Sequence, residues 1–268
     1  MSTATGQPPT IAGAIQAPPI GWGGQIGAAR AALHQAIADR AKADLRVSYT
    51  WVILFLVGPF IQTAILGFAV LVFFSTGQIL LLIIFGLIGL LTGTAIHGVI
   101  NRTLIRRMTR HFDREVRLRG ALIEYLHAKA AEEQKLNAVA SSLLQMAMLH
   151  GQAQAEDRGR SVLWSLATSL PFIRYYFLWF ISKFPYEHEQ RFLRFLNHAG
   201  QAAAGLGVPF QVPALKPVKR HRFWLFLLLS LLTNEWFIAF WYLVLIREPH
   251  IHFDNHVQAD DALSLALH

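Results

Sequence analysis

Residues 47–101 read VSYTWVILFLVGPFIQTAILGFAVLVFFSTGQILLLIIFGLIGLLTGTAIHGVIN, and these 55 positions contain no Asp, Glu, Lys or Arg. A membrane-spanning helix needs about 20 mainly apolar residues, so the stretch is long enough for two. The Ser-Thr-Gly-Gln sequence at positions 75–78 is typical of a turn. Since backbone polar groups in lipid must be hydrogen-bonded within their own segment, we expect two helices, residues 49–74 and 79–100, that form a transmembrane hairpin.

Basic residues flank the predicted hairpin on both sides. Those before it are Arg30, Arg40, Lys42 and Arg46, and those after it are Arg102, Arg106, Arg107 and Arg110. Because basic residues are enriched on the cytoplasmic side of membrane proteins, both ends of the hairpin and the N-terminus are predicted to be cytoplasmic. We expect anionic lipids as partners. The predicted headgroup-binding residues are Arg102, Arg106, Arg107, Arg110, Lys183 and Arg247.

The composition also favours a membrane protein. The chain of 268 residues is 54% hydrophobic and 15% charged, whereas soluble proteins have about 25% charged residues. Its formal net charge is +8, and the basic residues lie beside apolar segments, which favours lipid headgroups over nucleic acid as the acidic partner. The chain has no cysteine, so disulfides, thiolate catalysis and cysteine-based zinc sites are excluded.

The whole chain is predicted to be an all-α, multi-pass integral membrane protein with long cytoplasmic helices. Its predicted parts are a flexible Pro/Gly arm (1–25), an amphipathic helix (26–47), the hairpin (48–101), a charged helical region (102–160), a third membrane segment (161–182), a basic helix and linker (183–222), a fourth membrane segment (223–246) and a His-rich C-terminal tail (247–268). Apolar residues at helical spacing in the charged region leave two alternatives, which are packing within its own bundle and an oligomer contact through a coiled coil.

The third and fourth membrane segments each have a central break, at Ser169-Leu170-Pro171 and at Thr233-Asn234-Glu235. If both segments span the membrane, residues 183–222 lie outside, although this loop carries seven basic residues and the positive-inside tendency opposes that placement. If both segments instead enter and return, residues 183–222 are cytoplasmic and each arm crosses about half of a roughly 30 Å hydrocarbon core. The sequence leaves both topologies open.

The chain also aligns with itself. A shift of 141 positions gives 14 identities over 38 positions without a gap and places His111 on His252. A shift of 64 positions places His188 on His252 and Pro185 on Pro249. Each unit is an apolar segment, a basic residue at its exit and a histidine a few residues later. Repeated units normally pack together, so we expect contacts between these units.

The two late segments, within residues 161–188 and 223–254, combine a small hydroxyl residue, Tyr and Trp side chains and a basic residue at the exit. They resemble the repeated segments of uncharacterised prokaryotic multi-pass membrane proteins that are grouped as domains of unknown function. In those proteins Thr-Gly usually follows the first half of the segment, and this chain departs from that pattern at both breaks. The resemblance implies a multi-pass membrane protein and implies no activity.

Three ionisable residues lie within apolar segments: His97, Arg174 and Glu235. Such residues are costly in hydrocarbon and are therefore candidates for function. Arg174 and Glu235 have opposite charges, which leaves two interpretations. Either they form a structural ion pair or extend their charged ends to the membrane interface, or they are part of an ion or proton path.

The C-terminal tail contains a candidate metal site. His252 and His256 are four residues apart, so a helix would place both on one face, and His250 is the candidate third ligand. The alternative is that these histidines are exposed near the membrane and titrate with the headgroups.

The sequence contains none of the phosphate-binding, dinucleotide-binding or serine-hydrolase motifs, and its charges flank the apolar segments. We therefore expect a non-enzymatic structural protein that scaffolds or shapes a membrane, or that completes a larger membrane complex, as a homo-oligomer or with other membrane subunits. The alternative is a transporter or channel subunit that uses Arg174 and Glu235.

Overall fold

The computed structural model describes residues 21–155, 164, 167–168, 170–220, 222–233 and 236–267. Within these residues the secondary structure is helical and no strand occurs. The helices are α1 (Trp22–Ala38), α2 (Arg40–Ala43), α3 (Trp51–Thr76), α4 (Ile79–Glu132), α5 (Leu136–Gln154), α6 (Pro171–Gly205), α7 (Phe223–Leu232) and α8 (Trp236–Ala266). The protein is therefore all-α over the described residues, and most of the predicted arm lies outside them.

Helices α3 and α4 form a hairpin. Gly77 ends α3 in the left-handed conformation with φ 68°, which glycine adopts without a steric cost, and Gln78 precedes α4. Phe68 of α3 contacts Phe85 of α4 edge-to-face at 5.3 Å between ring centroids. Among the described residues, one helix, α4, is long and apolar enough to cross a membrane.

Many large apolar side chains of this hairpin face outward. Large apolar side chains that are at least half exposed include Phe60, Phe68, Leu71, Phe74, Ile79, Leu80 and Leu91. Such a continuous apolar surface is unfavourable in water and is typical of a surface that contacts lipid or another protein.

Helix α4 does not break where its composition changes. Its 54 residues rise about 80 Å, from the apolar tip of the hairpin to a charged half that is surrounded by other helices. The predicted boundary at residue 101 therefore lies within a continuous helix. The predicted charged region comprises the second half of α4 and α5, joined near Gln134, which has φ 55°.

A large apolar core lies at the end of α4 that is far from the hairpin. It joins five helices, α1, α4, α5, α6 and α8, through residues such as Leu33, Leu122, Met146, Phe195 and Leu263. The apolar positions of α5 therefore pack within this bundle, which favours that alternative over a coiled-coil contact. The second halves of α4 and α6 therefore lie together in one core.

A second apolar core lies closer to the hairpin. It is formed by Ile100 and Leu104 of α4, Phe177 of α6 and Trp241 and Leu245 of α8. Helices α4, α6 and α8 pass through both cores, so the layer between the cores is lined by these three helices.

Described helix ends lie beside both predicted breaks of the late apolar segments. Helix α6 begins at Pro171, where a proline lacking its N–H is tolerated, and α7 ends at Leu232 before α8 begins at Trp236. The ten residues of α7 rise about 15 Å. Trp236 contacts Phe60 of α3 at 5.2 Å between ring centroids, whereas α3 continues for about 24 Å beyond Phe60. Trp236, where α8 begins, therefore lies beside the middle of α3.

Among the predicted headgroup-binding residues, Arg107 is the one whose side chain is buried inside the protein. Its side chain is 1% exposed and donates a hydrogen bond of 2.9 Å to the carbonyl oxygen of Leu245. Pro249 lies inside α8 and has no N–H for that carbonyl, so Arg107 supplies the missing donor. Arg107 is therefore a structural residue rather than a headgroup-binding residue, whereas Arg106, Lys183 and Arg247 are exposed.

Candidate metal centre

Four buried histidines meet in the layer between the two apolar cores. His111 comes from α4, His188 from α6, and His252 and His256 from α8; one ligand nitrogen from each lies within 4.8 Å of the others. None of the four is more than 3% exposed. His252 and His256 are one turn apart and share a helix face, as the sequence predicts. The arrangement has the geometry of a metal-binding group.

The imidazole rings of His111 and His252 face each other through their Nε2 atoms. Their Nε2 atoms are 3.0 Å apart. The Nδ1 atom of His111 lies 2.7 Å from the carboxylate of Asp44, and Nδ1 of His252 is hydrogen-bonded to Glu189. A carboxylate accepts, so each Nδ1 donates, and this leaves an acceptor lone pair on each Nε2. Two lone pairs that face each other repel, and a cation between them removes the repulsion.

Glu189 is itself held in place. The side-chain amide of Asn255, on α8, donates a hydrogen bond of 2.5 Å to one oxygen of Glu189, while the other oxygen contacts His252. Carboxylates that orient histidine ligands in this way recur around metal ions in proteins, because they fix the tautomer and raise the basicity of the ligating nitrogen.

His256 lacks the polar contacts that a buried imidazole normally has. It is completely buried, its ring is stacked on Phe192 at 3.8 Å between centroids, and neither ring nitrogen has a hydrogen-bond partner among the described residues. A buried polar group without a partner costs about 1–3 kcal/mol of stability. Coordination of a metal ion would satisfy this imidazole.

His188 and Glu115 complete the ring of contacts. The Nε2 atom of His188 contacts the carboxylate of Glu115, which also lies 3.7 Å from Nε2 of His111. Glu115 in turn pairs with Arg119 one turn later on α4. These contacts place one further carboxylate beside two of the four histidines.

The ion-pair network around the histidines carries an excess of negative charge. Arg114 contacts Asp260 at 2.5 Å and Asp44 at 3.3 Å. Among the described residues, the network joins four carboxylates (Asp44, Glu115, Glu189 and Asp260) to two guanidinium groups (Arg114 and Arg119). With neutral histidines this leaves two negative charges, which a divalent cation would balance.

The protonation states suit metal binding at neutral pH. Burial lowers the pKa of His111 to about 4, and burial together with the neighbouring His252 holds the pKa of His256 well below its usual value. Both imidazoles are therefore neutral at pH 7, which is the form that binds metals. Burial alone would raise the pKa of Glu115, but Arg119, His188 and His111 together outweigh burial and hold that pKa well below its usual value.

The structure assigns the predicted tail histidines differently from the sequence. His252 and His256 belong to the group, but His250 does not, because its ring turns to Tyr49 with 3.2 Å between Nδ1 and the hydroxyl oxygen. The group is completed by His111 and His188, which were not among the predicted site residues. A signal for them was nevertheless present, since the two self-alignments place His111 and His188 on His252.

Arg174 and His97, two of the other predicted polar residues, lie outside the group. Arg174 is 6% exposed and its guanidinium lies over the ring of Tyr175 at 5.6 Å. Glu235 lies outside the described residues, so the predicted pair has no structural test. His97 is half-buried on the apolar part of α4, about 21 Å along the helix from His111.

Comparison of the chain with protein-family models, with curated proteins and with solved structures gave no match.

Proposed function

We propose that this protein is a membrane-anchored helical scaffold in which a divalent transition-metal ion, bound by His111, His188, His252 and His256, joins α4, α6 and α8. The observation that carries the proposal is the group of four buried imidazoles from these three helices, with ligand atoms within 4.8 Å of one another. The role is structural and non-enzymatic.

A closed ligand set supports a structural role. Catalytic zinc sites keep a position open for water or substrate, whereas structural sites are filled by four protein ligands. Here four imidazoles are available and all of them are buried, so a bound ion has no free position facing solvent. The ligands come from residues up to 145 positions apart, so one ion would connect distant parts of the chain.

The ligand chemistry favours Zn²⁺. Imidazole nitrogens suit zinc, copper, iron and nickel, and zinc in structural sites is almost always bound by four protein ligands in a tetrahedron. With zinc–nitrogen bonds of about 2.0–2.1 Å, neighbouring ligand atoms are roughly 3.3 Å apart. The 3.0 Å between the Nε2 atoms of His111 and His252 is close to this value.

The exposed hairpin supplies the membrane anchor in this proposal. Its apolar surface enters the bilayer, and Arg102, Arg106 and Arg110 follow it at the cytoplasmic headgroups. The short α7 and the break before α8 support the re-entrant topology, in which α6, α7 and α8 enter one leaflet and the helical bundle stays on the cytoplasmic side. The shared core of α4 and α6 supports the same topology.

The test is the metal content of the full-length protein purified in mild detergent. We expect close to one equivalent of metal per chain by elemental mass spectrometry, and a visible spectrum of tetrahedral nitrogen coordination after exchange with Co²⁺. His256→Ala should lose the metal, whereas His250→Ala, a histidine on the same helix outside the group, should retain it. Metal-free wild-type protein that does not bind added Zn²⁺ or Co²⁺, or equal loss in both variants, would contradict the proposal.

A further inference from the structure

A cavity of about 690 Å³ lies where α6 passes the start of α7. Its lining includes three cationic side chains, one serine and aromatic rings. These residues are Lys183, Arg220, Arg222, Ser182, Trp179 and Trp224. The cavity is separate from the histidine group.

Among the described residues, the cations of this cavity outnumber the carboxylates that pair with them. Arg220 and Arg222 are exposed, and neither forms an ion pair with a carboxylate in the described part of the chain. Lys183 lies 3.2 Å from Glu187 and 5.5 Å from the ring of Trp179. Three cations with one carboxylate leave an excess of positive charge, which favours an anion within the cavity.

Hydrogen-bond donors line the same cavity. Ser182 is 5% exposed, and its hydroxyl oxygen accepts a hydrogen bond of 2.8 Å from the indole N–H of Trp241, so its own proton is left to donate to a ligand. Helix α7 begins beside the cavity without a side-chain cap, and its first backbone N–H groups add further donors. Phosphate oxygens accept from such groups.

The cavity continues into an apolar surface. Helix α7 carries Trp224, Leu228 and Leu232, which are 77%, 53% and 74% exposed. Tryptophan is enriched where a membrane meets water, so Trp179 and Trp224 mark the headgroup level while α7 faces the acyl chains. A ligand that fills both regions has an anionic head and long apolar chains.

We propose that this cavity binds the phosphate headgroup of an anionic phospholipid whose acyl chains lie along α7. Arg220, Arg222 and Lys183 neutralise the phosphate, and the hydroxyl of Ser182 donates to it. The proposal rests on the membrane placement given above but not on the metal, so it is independent of the outcome of the metal measurement.

The test uses the full-length protein in detergent, titrated with phosphatidylglycerol or phosphatidylcholine and observed by native mass spectrometry. We expect stronger binding of phosphatidylglycerol. The double variant Arg220→Gln/Arg222→Gln should lose this preference, with affinity falling roughly 5-fold for each cation removed. Lys219→Gln/Arg194→Gln, which removes two exposed cations outside the cavity lining, is the matched control and should bind like the wild type.

Three results would overturn the proposal. The first is equal retention of phosphatidylglycerol by the cavity variant and its control, and the second is equal binding of the two lipids by the wild type. The third is displacement of the lipid by millimolar inorganic phosphate, which would indicate a site for free phosphate.

Flotation of all variants with vesicles that contain only phosphatidylcholine tests the hairpin anchor separately. If the wild-type protein does not float with these vesicles, the membrane placement itself is contradicted.

Discussion

The guanidinium of Arg107 donates its 2.9 Å hydrogen bond to the carbonyl of Leu245, four residues before Pro249. In an unbroken helix that carbonyl would accept from the backbone N–H four residues later, and proline has none. A long side chain of α4 therefore completes the backbone hydrogen bonding of α8. The same contact joins the two helices that carry three of the four histidines.

Arg107→Leu is expected to destabilise the protein by about 1–3 kcal/mol, because it leaves a buried carbonyl without a donor. In a Pro249→Ala background the alanine N–H supplies the donor, so the cost of Arg107→Leu should fall. The measurement is the unfolding midpoint of the four proteins in detergent. Arg106→Leu, at an exposed position next to Arg107, is the control and should have little effect. Strict additivity of Arg107→Leu and Pro249→Ala would show that the proline is unrelated to the contact.

Glu189→Gln is expected to lower the affinity for Zn²⁺ by about 10–100-fold while all four histidines remain. The carboxylate holds Nδ1 of His252 as a donor, and an amide that presents its NH₂ group to that nitrogen no longer fixes the tautomer. Competition with a chromophoric chelator measures the affinity. Glu187→Gln removes a carboxylate two residues away on α6 that pairs with Lys183, so it should leave the affinity unchanged. Equal affinities of both variants would rule out a role for Glu189 in orienting His252.

The metal-free protein should lose stability as the pH falls from about 6.5 towards 4. His111 has a pKa of about 4 in the folded protein and an ordinary pKa of 6.5, so the unfolded chain binds more protons between these values. Acid therefore favours unfolding, and His256, whose pKa is lowered too, acts in the same direction. Burial raises the pKa of Asp260 to about 6, so this group opposes the loss in part.

The unfolding midpoint of metal-depleted protein, measured from pH 7.5 to 4.5, tests this expectation. The variant His111→Asn should show a flatter pH profile than the wild type, whereas His127→Asn, which changes an exposed histidine of the same helix, should not. A wild-type midpoint that rises on acidification would mean that the buried histidines are already protonated in the folded protein.

The re-entrant topology predicts where single cysteines react with an impermeant thiol reagent. His127→Cys and Ala204→Cys, at exposed positions of α4 and α6, should be protected together in intact cells. Ser75→Cys, at the hairpin tip, should be labelled from outside, and all three should react after solubilisation. The absence of native cysteine leaves no background labelling. Labelling of Ala204→Cys from outside, with His127→Cys protected, would instead support four spans.

The apolar hairpin region and the all-helical class follow from the sequence directly, because they depend on local composition. A stretch of 55 residues without Asp, Glu, Lys or Arg is apolar in any fold, and Pro171 favours a helix start because proline is well tolerated at the first helical position. The pair His252 and His256 is equally local, since one turn of helix suffices to bring both side chains to the same face.

The rest of the site depends on tertiary packing. His111, His188 and His252 meet only because α4, α6 and α8 converge between two apolar cores, and Asp44, just after α2, contacts His111 there. No spacing along the chain reports such a meeting. His250, only two residues from His252, points away because successive helix positions are about 100° apart. Arg107 looks like its neighbour Arg106 in the sequence. Its burial was decided by the helix packed against it, whose proline left a carbonyl in need of a donor.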